Sequence, residues 1–159
     1  MVIILAGAKG TGKTTKVKQL INEAGLPAFI YDVNNEYSSA ALPDMQSFLD
    51  QAVKKKSCAI VFEEATIFFS SKGRSEELIN ILVRSRHNKT LCILVFHSLR
   101  SVPTYILELS NYLILKYTAD NFTAVEAKYK DFPELINLFE EVQLEAESNL
   151  HYTGILKLL

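Results

Sequence analysis

The chain has 159 residues, 48% of them hydrophobic, which suits a single globular domain over 1–159 that buries roughly two thirds of its unfolded surface. Seventeen basic against eighteen acidic side chains leave a net charge of −1, excluding a global positive field, so that any nucleic-acid contact has to be local. The run from Met1 to Leu5 is too short for a signal-peptide core, and no apolar stretch approaches the roughly 18 residues of a membrane span, so the sequence reads as cytoplasmic.

The first predicted strand, VIILAG (2–7), runs directly into GAKGTGKT, Gly7 to Thr14, with a helix predicted over 13–24. A continuous apolar run is the pattern of a parallel strand covered on both faces. The octapeptide fits GxxxxGK[ST] completely, between a strand and a helix as the motif requires. Gly7, Gly10 and Gly12 let the backbone curl with its N–H groups inward, with no Cβ between it and a phosphate. The helix N-terminus aims its positive end at the same place. The loop from Gly7 through Ala8, Lys9, Gly10, Thr11, Gly12, Lys13 and Thr14 to Thr15 is therefore read as a phosphate cradle. Lys13 is suited to reach the β- and γ-phosphates of a nucleoside triphosphate, and the Thr14 hydroxyl to ligate magnesium. The side chains of Lys9 and Thr11, at variable positions of the motif, are read as surface groups.

The second strand, AFIYDV (28–33), is followed by a loop at 34–44 and a helix over about 44–55. The third, CAIVFE (58–63), carries Glu63 and Glu64 at its carboxyl end, where parallel sheets present their ligand sites. Strand alternation is expected to send the two carboxylates to different sides: one toward the metal through water, the other toward the γ-phosphate to activate an attacking water. A water-activating carboxylate favours hydrolysis over transfer to an acceptor hydroxyl.

A second loop, SSKGRS (70–75), precedes a helix over 75–86 with Leu78, Ile81, Leu82 and Ser85 on one face and Ser75 as its cap. Strands CILVFH (92–97) and YLILKY (112–117), a helix over about 133–147 and a final edge strand or hairpin arm in HYTGILKL complete the chain. Strand alternating with helix predicts an α/β fold with a doubly wound, mainly parallel sheet. Cys58 and Cys92 sit in apolar runs and read as buried thiols. His87 and His151 read as structural or exposed, and their spacing suggests no zinc site.

IYDVNNEYS, from Ile30 to Ser38, resembles the strand-end pattern of the HerA/FtsK superfamily of DNA-pumping ATPases, in which an aspartate, a polar turn and a Glu-Tyr pair follow the second strand. Glu63, Glu64 and Ala65 are similar to the Glu-Glu-Ala of its HerA branch, and residues 84–117 to its arginine, strand-end sensor and proline-bearing segment. The resemblance spans about residues 2–117. It implies a P-loop NTPase of the additional-strand, RecA-like type that binds ATP with Mg2+. It puts Arg86 in the arginine position and His97 where the family usually has glutamine, so His97 reads either as a phosphate sensor or as a hydrogen-bonded strand-end histidine.

The compact chain looks like the small viral DNA-packaging ATPases or the zonula-occludens-toxin-like phage assembly ATPases. What this implies is an ATP-hydrolysing motor subunit that translocates double-stranded DNA. Glu64, Lys13, Arg86 and His97 would be catalytic, and Thr14 and Glu63 would hold the metal. The motor would be a homo-oligomeric ring meeting a viral capsid or portal protein, in host cytoplasm or virion. Arg74, Arg84, Arg86 and Arg100 are candidates to complete a neighbouring site, and Arg86 would act in its own subunit or across the interface. Lys72 and Arg74, then Lys54 to Lys56, are the candidate DNA contacts. The alternatives are a filamentous-phage-type assembly ATPase, a factor that binds ATP without turnover, and a small P-loop kinase, although no lid insertion follows the fourth strand.

Overall fold

The computed structural model describes residues 1–37, 44–70 and 76–159. Ser75, Lys72 and Arg74 therefore lie outside the described residues, with most of the two expected loops. Six strands, β1 (Val2–Ala6), β2 (Ala28–Tyr31), β3 (Ala59–Phe62), β4 (Leu91–Phe96), β5 (Tyr112–Leu115) and β6 (Gly154–Lys157), form one sheet in the order β2-β3-β4-β1-β5-β6. β2 pairs with β3, β3 with β4 and β1 with β5 in parallel, while β6 pairs antiparallel with β5 as the expected C-terminal edge strand. By its contacts the chain divides into two compact units, Met1–Val2 with Thr14–Val95, and Ile3–Lys13 with Phe96–Leu159.

In the first unit, β3 and β4 are buried along their whole length, which explains their unbroken apolar sequences. Helices α1 (Lys13–Ala24), α2 (Met45–Ala52), α3 (Ile67–Ser70) and α4 (Glu76–Arg84) connect the strands. Asp44 caps α2, its carboxylate accepting from Ser47 N at 2.7 Å. The fully buried Phe48 of α2 stacks on Phe29 at 4.8 Å and meets Phe62 edge-on at 5.4 Å, and Phe68 of α3 packs edge-on against Phe62 and Tyr31. These contacts tie α2 and the short α3, which sequence periodicity does not predict, to β2 and β3. α4 buries Leu78, Ile81 and Leu82 as its spacing predicts, and Ser85 is buried just past its end. Cys92 is buried within β4, whereas the equally buried Cys58 stands one residue before β3.

In the second unit, β1 and β5 carry the chain toward a C-terminal layer of α5 (Thr104–Leu107), α6 (Phe122–Lys128) and α7 (Pro133–Ala146). α7 starts with proline at its first turn, where no N–H is needed. It packs Leu135, Leu138, Phe139 and Val142 inward and lies on β5 and β6. A Cβ on Gly154 would come within 2.6 Å of Leu138 Cδ1 and 2.7 Å of Val142 Cγ2, so glycine sets how closely β6 approaches α7.

Candidate functional site

The glycine loop leaves β1 in the second unit. Gly7 N donates to Phe96 O at 3.1 Å and Ala8 N to Tyr117 O at 2.7 Å, fastening the loop's entry to the ends of β4 and β5. Those two amides are thus engaged by strand carbonyls, and the inward-facing N–H groups expected from Gly7 onward must come from later residues. A Cβ on Gly7 would meet Thr11 Oγ1 at 2.8 Å and Lys116 Cβ at 2.9 Å, so close approach requires glycine there. Gly10 and Gly12 adopt φ values of 83° and 86°, in the left-handed range where glycine pays no steric penalty.

The Ala8 carbonyl collects the loop around itself, accepting from Thr11 Oγ1 at 2.8 Å and Lys13 Nζ at 2.9 Å. Lys13 is only 6% exposed, and its ammonium lies back across the curl that the glycines make. Lys9 is exposed as expected, but Thr11 is buried at 1% exposure and is not a surface group. The missing Cβ of Gly7 makes the space that its hydroxyl occupies.

His97 is exposed immediately past β4, next to the Phe96 carbonyl that receives the loop's first amide. The backbone after it is held firmly. Asp120 accepts from Ser98 Oγ at 2.6 Å and Leu99 N at 2.7 Å, and Tyr129 Oη donates to Leu99 O and Val102 O at 2.5 and 2.8 Å. Lys128 Nζ donates to Val102 O at 2.8 Å. α6 and the turn before it therefore brace the segment that follows His97. Lys116, buried at the end of β5, donates to His151 O at 3.1 Å and Thr153 Oγ1 at 2.9 Å. A Cβ on Gly12 would lie 3.4 Å from His151 Nδ1, so the C-terminal segment lies against the glycine loop. Sequence reasoning read His151 as structural or exposed and missed Lys116, whose one available signal was a lysine closing an otherwise apolar strand.

In the first unit, Thr14 and Thr15 open the body of α1, Thr14 half-buried and Thr15 exposed. The Thr14 hydroxyl donates to the Glu36 carboxylate. Tyr37 Oη donates to Glu63 Oε2 at 2.8 Å. Burial, and then the neighbouring Glu63 charge, push the Tyr37 phenol far above its ordinary range, so it stays a proton donor. Residues 34–37, expected as the start of a mobile loop, are tied down: Asp32 accepts from Glu36 N and Tyr37 N at 2.9 Å each, and Lys18 Nζ donates to Glu36 O at 2.9 Å.

Glu63 and Glu64 follow β3 directly and occupy different environments, Glu63 buried at 3% exposure and Glu64 half-buried. Strand alternation is not the cause, because β3 ends at Phe62 and Glu64 has a φ of 55°. A non-glycine residue held there costs on the order of 1–3 kcal/mol, a strain that collects at functional turns. Ala65 N donates to Val95 O at 2.8 Å and fixes the far side of the turn.

Arg86 stands apart from the two carboxylates along the strand direction. Arg86 is exposed in the turn after α4 and precedes β4. The β3–β4 register sets Phe62 opposite Leu94, so Glu63 stands near the carboxyl end of β4, while Arg86 stands at its amino end. Six strand residues separate those ends by roughly 20 Å. A helix feeding a parallel strand must return the chain to the strand's start, and this removes Arg86 from the Glu63 side of its own subunit. Arg84 and Arg100 are exposed, as are Lys54 to Lys56, of which Lys55 lies 4.6 Å over the Phe29 ring.

The oxygen donors fit magnesium. It takes one or two protein oxygens and completes its octahedron with water and phosphate, so a hydroxyl and a carboxylate suffice. Among the described residues no cluster of three or more His, Cys, Asp or Glu forms a metal cage, and no helix is long and apolar enough to cross a membrane.

With this geometry in view, residues 3–114 match the model of the ATPase family associated with various cellular activities (AAA). The chain belongs to the AAA family of ATPases. No curated protein matches this AAA chain. Among solved structures it is similar to the genome packaging NTPase B204 of Sulfolobus turreted icosahedral virus 2. The complex with AMPPCP has a TM-score of 0.73 at 15% identity, covering 99% of this chain and 92% of that one. The ATP-gammaS complex has a TM-score of 0.69 at 15% identity, covering 99% and 91%. The DNA-packaging ATPase B204 of Sulfolobus Turreted Icosahedral Virus has a TM-score of 0.69 at 14% identity, covering 99% and 92%. At these identities the likeness establishes the fold: α/β, with a mostly parallel six-stranded sheet and an antiparallel edge.

Proposed function

We propose that this AAA domain is a Mg2+-dependent ATP hydrolase of the HerA/FtsK type, a motor subunit that translocates double-stranded DNA in viral genome packaging. The observation that carries the reading is the division of labour between adjacent carboxylates: Glu63 buried and fixed by a phenol, Glu64 half-buried on a strained turn. The packaging part is supported by the order of sequence motifs and by the genome-packaging role of B204, whose fold is shared.

In this reading the amides from Lys9 to Thr15 and the Lys13 ammonium hold the phosphates. Thr14 and Glu63 hold magnesium, which when bound neutralises charge on the β- and γ-phosphate oxygens. Glu64 orients water and takes its proton as the water oxygen bonds to the γ-phosphorus and the bond from that phosphorus to the β,γ-bridging oxygen breaks, ADP leaving with the electron pair. His97 donates to a phosphate oxygen or to that water. Arg86, at the opposite end of β4 from its own Glu63, acts across a ring interface on a neighbouring subunit's ATP. Lys72 and Arg74 contact DNA phosphates, and the ring engages a capsid or portal protein.

The test is the rate of phosphate release with and without double-stranded DNA, alongside the mass of the ATP-bound assembly. The motor reading expects stimulation by DNA and a multimer. A stable monomer that DNA does not stimulate contradicts it, and transfer of phosphate to an added acceptor would indicate a kinase.

A further inference from the structure

The Asp32–Tyr37 turn makes contacts that reach beyond the assigned phosphate and metal groups. Asp32 follows β2 immediately, and its two carboxylate oxygens accept the consecutive amides of Glu36 and Tyr37 at 2.9 Å each. Asn35 takes a φ of 55°, which asparagine tolerates better than most residues. The closed turn fixes the directions of two successive side chains. The Glu36 carboxylate receives the hydroxyl hydrogen of Thr14, and Tyr37 Oη donates to Glu63 Oε2 at 2.8 Å. One turn along α1 from Thr14, Lys18 grips the same dipeptide, donating to Glu36 O at 2.9 Å and lying 5.3 Å over the Tyr37 ring.

We propose that this turn positions both side chains that hold the magnesium ion, Glu36 orienting the Thr14 hydroxyl and Tyr37 orienting the Glu63 carboxylate, which meets the ion through water. The inference rests on the reading that Thr14 and Glu63 hold magnesium. A hydroxyl that presents a lone pair to a cation must direct its hydrogen elsewhere, and Glu36 is the acceptor that selects this rotamer. A carboxylate that receives a phenol on one oxygen is held in one plane, which leaves its approach to a cation defined before the cation arrives. Groups that orient metal ligands in this way typically contribute about 10- to 100-fold in metal affinity. Glu36 and Tyr37 are positioning residues, and Asp32 is the clasp that points both.

The test measures binding of ATPγS in Mg2+ and in EDTA, so that the gain due to metal is read apart from nucleotide binding and turnover. Tyr37→Phe and Glu36→Ala are expected to reduce that gain roughly 10- to 100-fold while leaving the affinity in EDTA unchanged. Asp32→Asn should reproduce both losses, since an amide nitrogen cannot accept the second backbone hydrogen. A thermal melt of each variant separates misfolding from mispositioning, and Tyr37→Phe keeps the half-buried ring. Thr14→Ala and Glu63→Gln distinguish the two layers of the claim. If they abolish the metal-dependent gain while Tyr37→Phe and Glu36→Ala retain it, the positioning role is overturned and the ligand assignment stands. If they too retain the gain, the ligand assignment falls and the positioning role with it.

Discussion

Lys13 Nζ donates to the Ala8 carbonyl at 2.9 Å, so the ammonium that the motif supplies for phosphate is already bent across the loop that presents it. Charge-assisted hydrogen bonds of this kind contribute about 1.5–3 kcal/mol. Lys13→Ala is expected to weaken ATP binding roughly 10- to 150-fold, as measured by calorimetric titration. Affinity equal to the parent protein would show that Lys13 does not reach the phosphates.

The first glycine of the loop is demanded by packing. Gly7→Ala would set a Cβ 2.8 Å from Thr11 Oγ1 and 2.9 Å from Lys116 Cβ, neither of them a freely swinging chain end. Overpacking of this kind costs about 1–3 kcal/mol, and the melting temperature should fall by roughly 2–4 °C per kcal/mol in a chain of this size. A thermal melt checks it; an unchanged transition would mean that the loop yields without strain.

Phe48 anchors α2 through its contacts with Phe29, Tyr31, Phe62 and Phe68. Phe48→Ala is expected to destabilise the protein by about 3–5 kcal/mol, read from the urea midpoint. Loss of less than about 1 kcal/mol would indicate that the cluster collapses into the space left behind.

Alkaline stability should report on Cys92. Burial pushes its thiol from 9.0 up to about 11, partly offset by Thr90. Between those values the folded chain keeps a proton that the unfolded chain releases, so stability falls with rising pH. The contribution is fully present below about 9 and lost by about 11. Urea denaturation at pH 8 and 10.5 should show that loss, and Cys92→Ala should diminish it; equal loss in both proteins would assign the effect elsewhere.

Much of this was legible in the sequence for physical reasons. Strands buried on both faces must be apolar throughout, so VIIL, AIVF, CILVF and LIL announce themselves, as does a glycine loop whose curl no other residue tolerates. α6 was not, because FTAVEAK buries Val125 alone and shows no apolar face. Nor was the bracing of the post-His97 segment by Asp120, Lys128 and Tyr129, since hydrogen bonds from side chains to backbone amides and carbonyls leave no periodic trace. Thr11 read as a surface group because its burial depends on the absent Cβ of Gly7, a relation between residues rather than a property of one. Arg86 precedes β4 in the sequence and so stands at its amino end, but linear spacing does not say whether it serves its own subunit or a neighbour's.

The central claim is hydrolysis with Glu64 as the group that activates water, and one measurement meets it most directly. Steady-state phosphate release is compared between the parent protein and Glu64→Gln, with Mg2+-ATP binding followed on the same samples. Binding retained with turnover reduced about 10²-fold or more is the expected result. Turnover unchanged in Glu64→Gln would contradict the account.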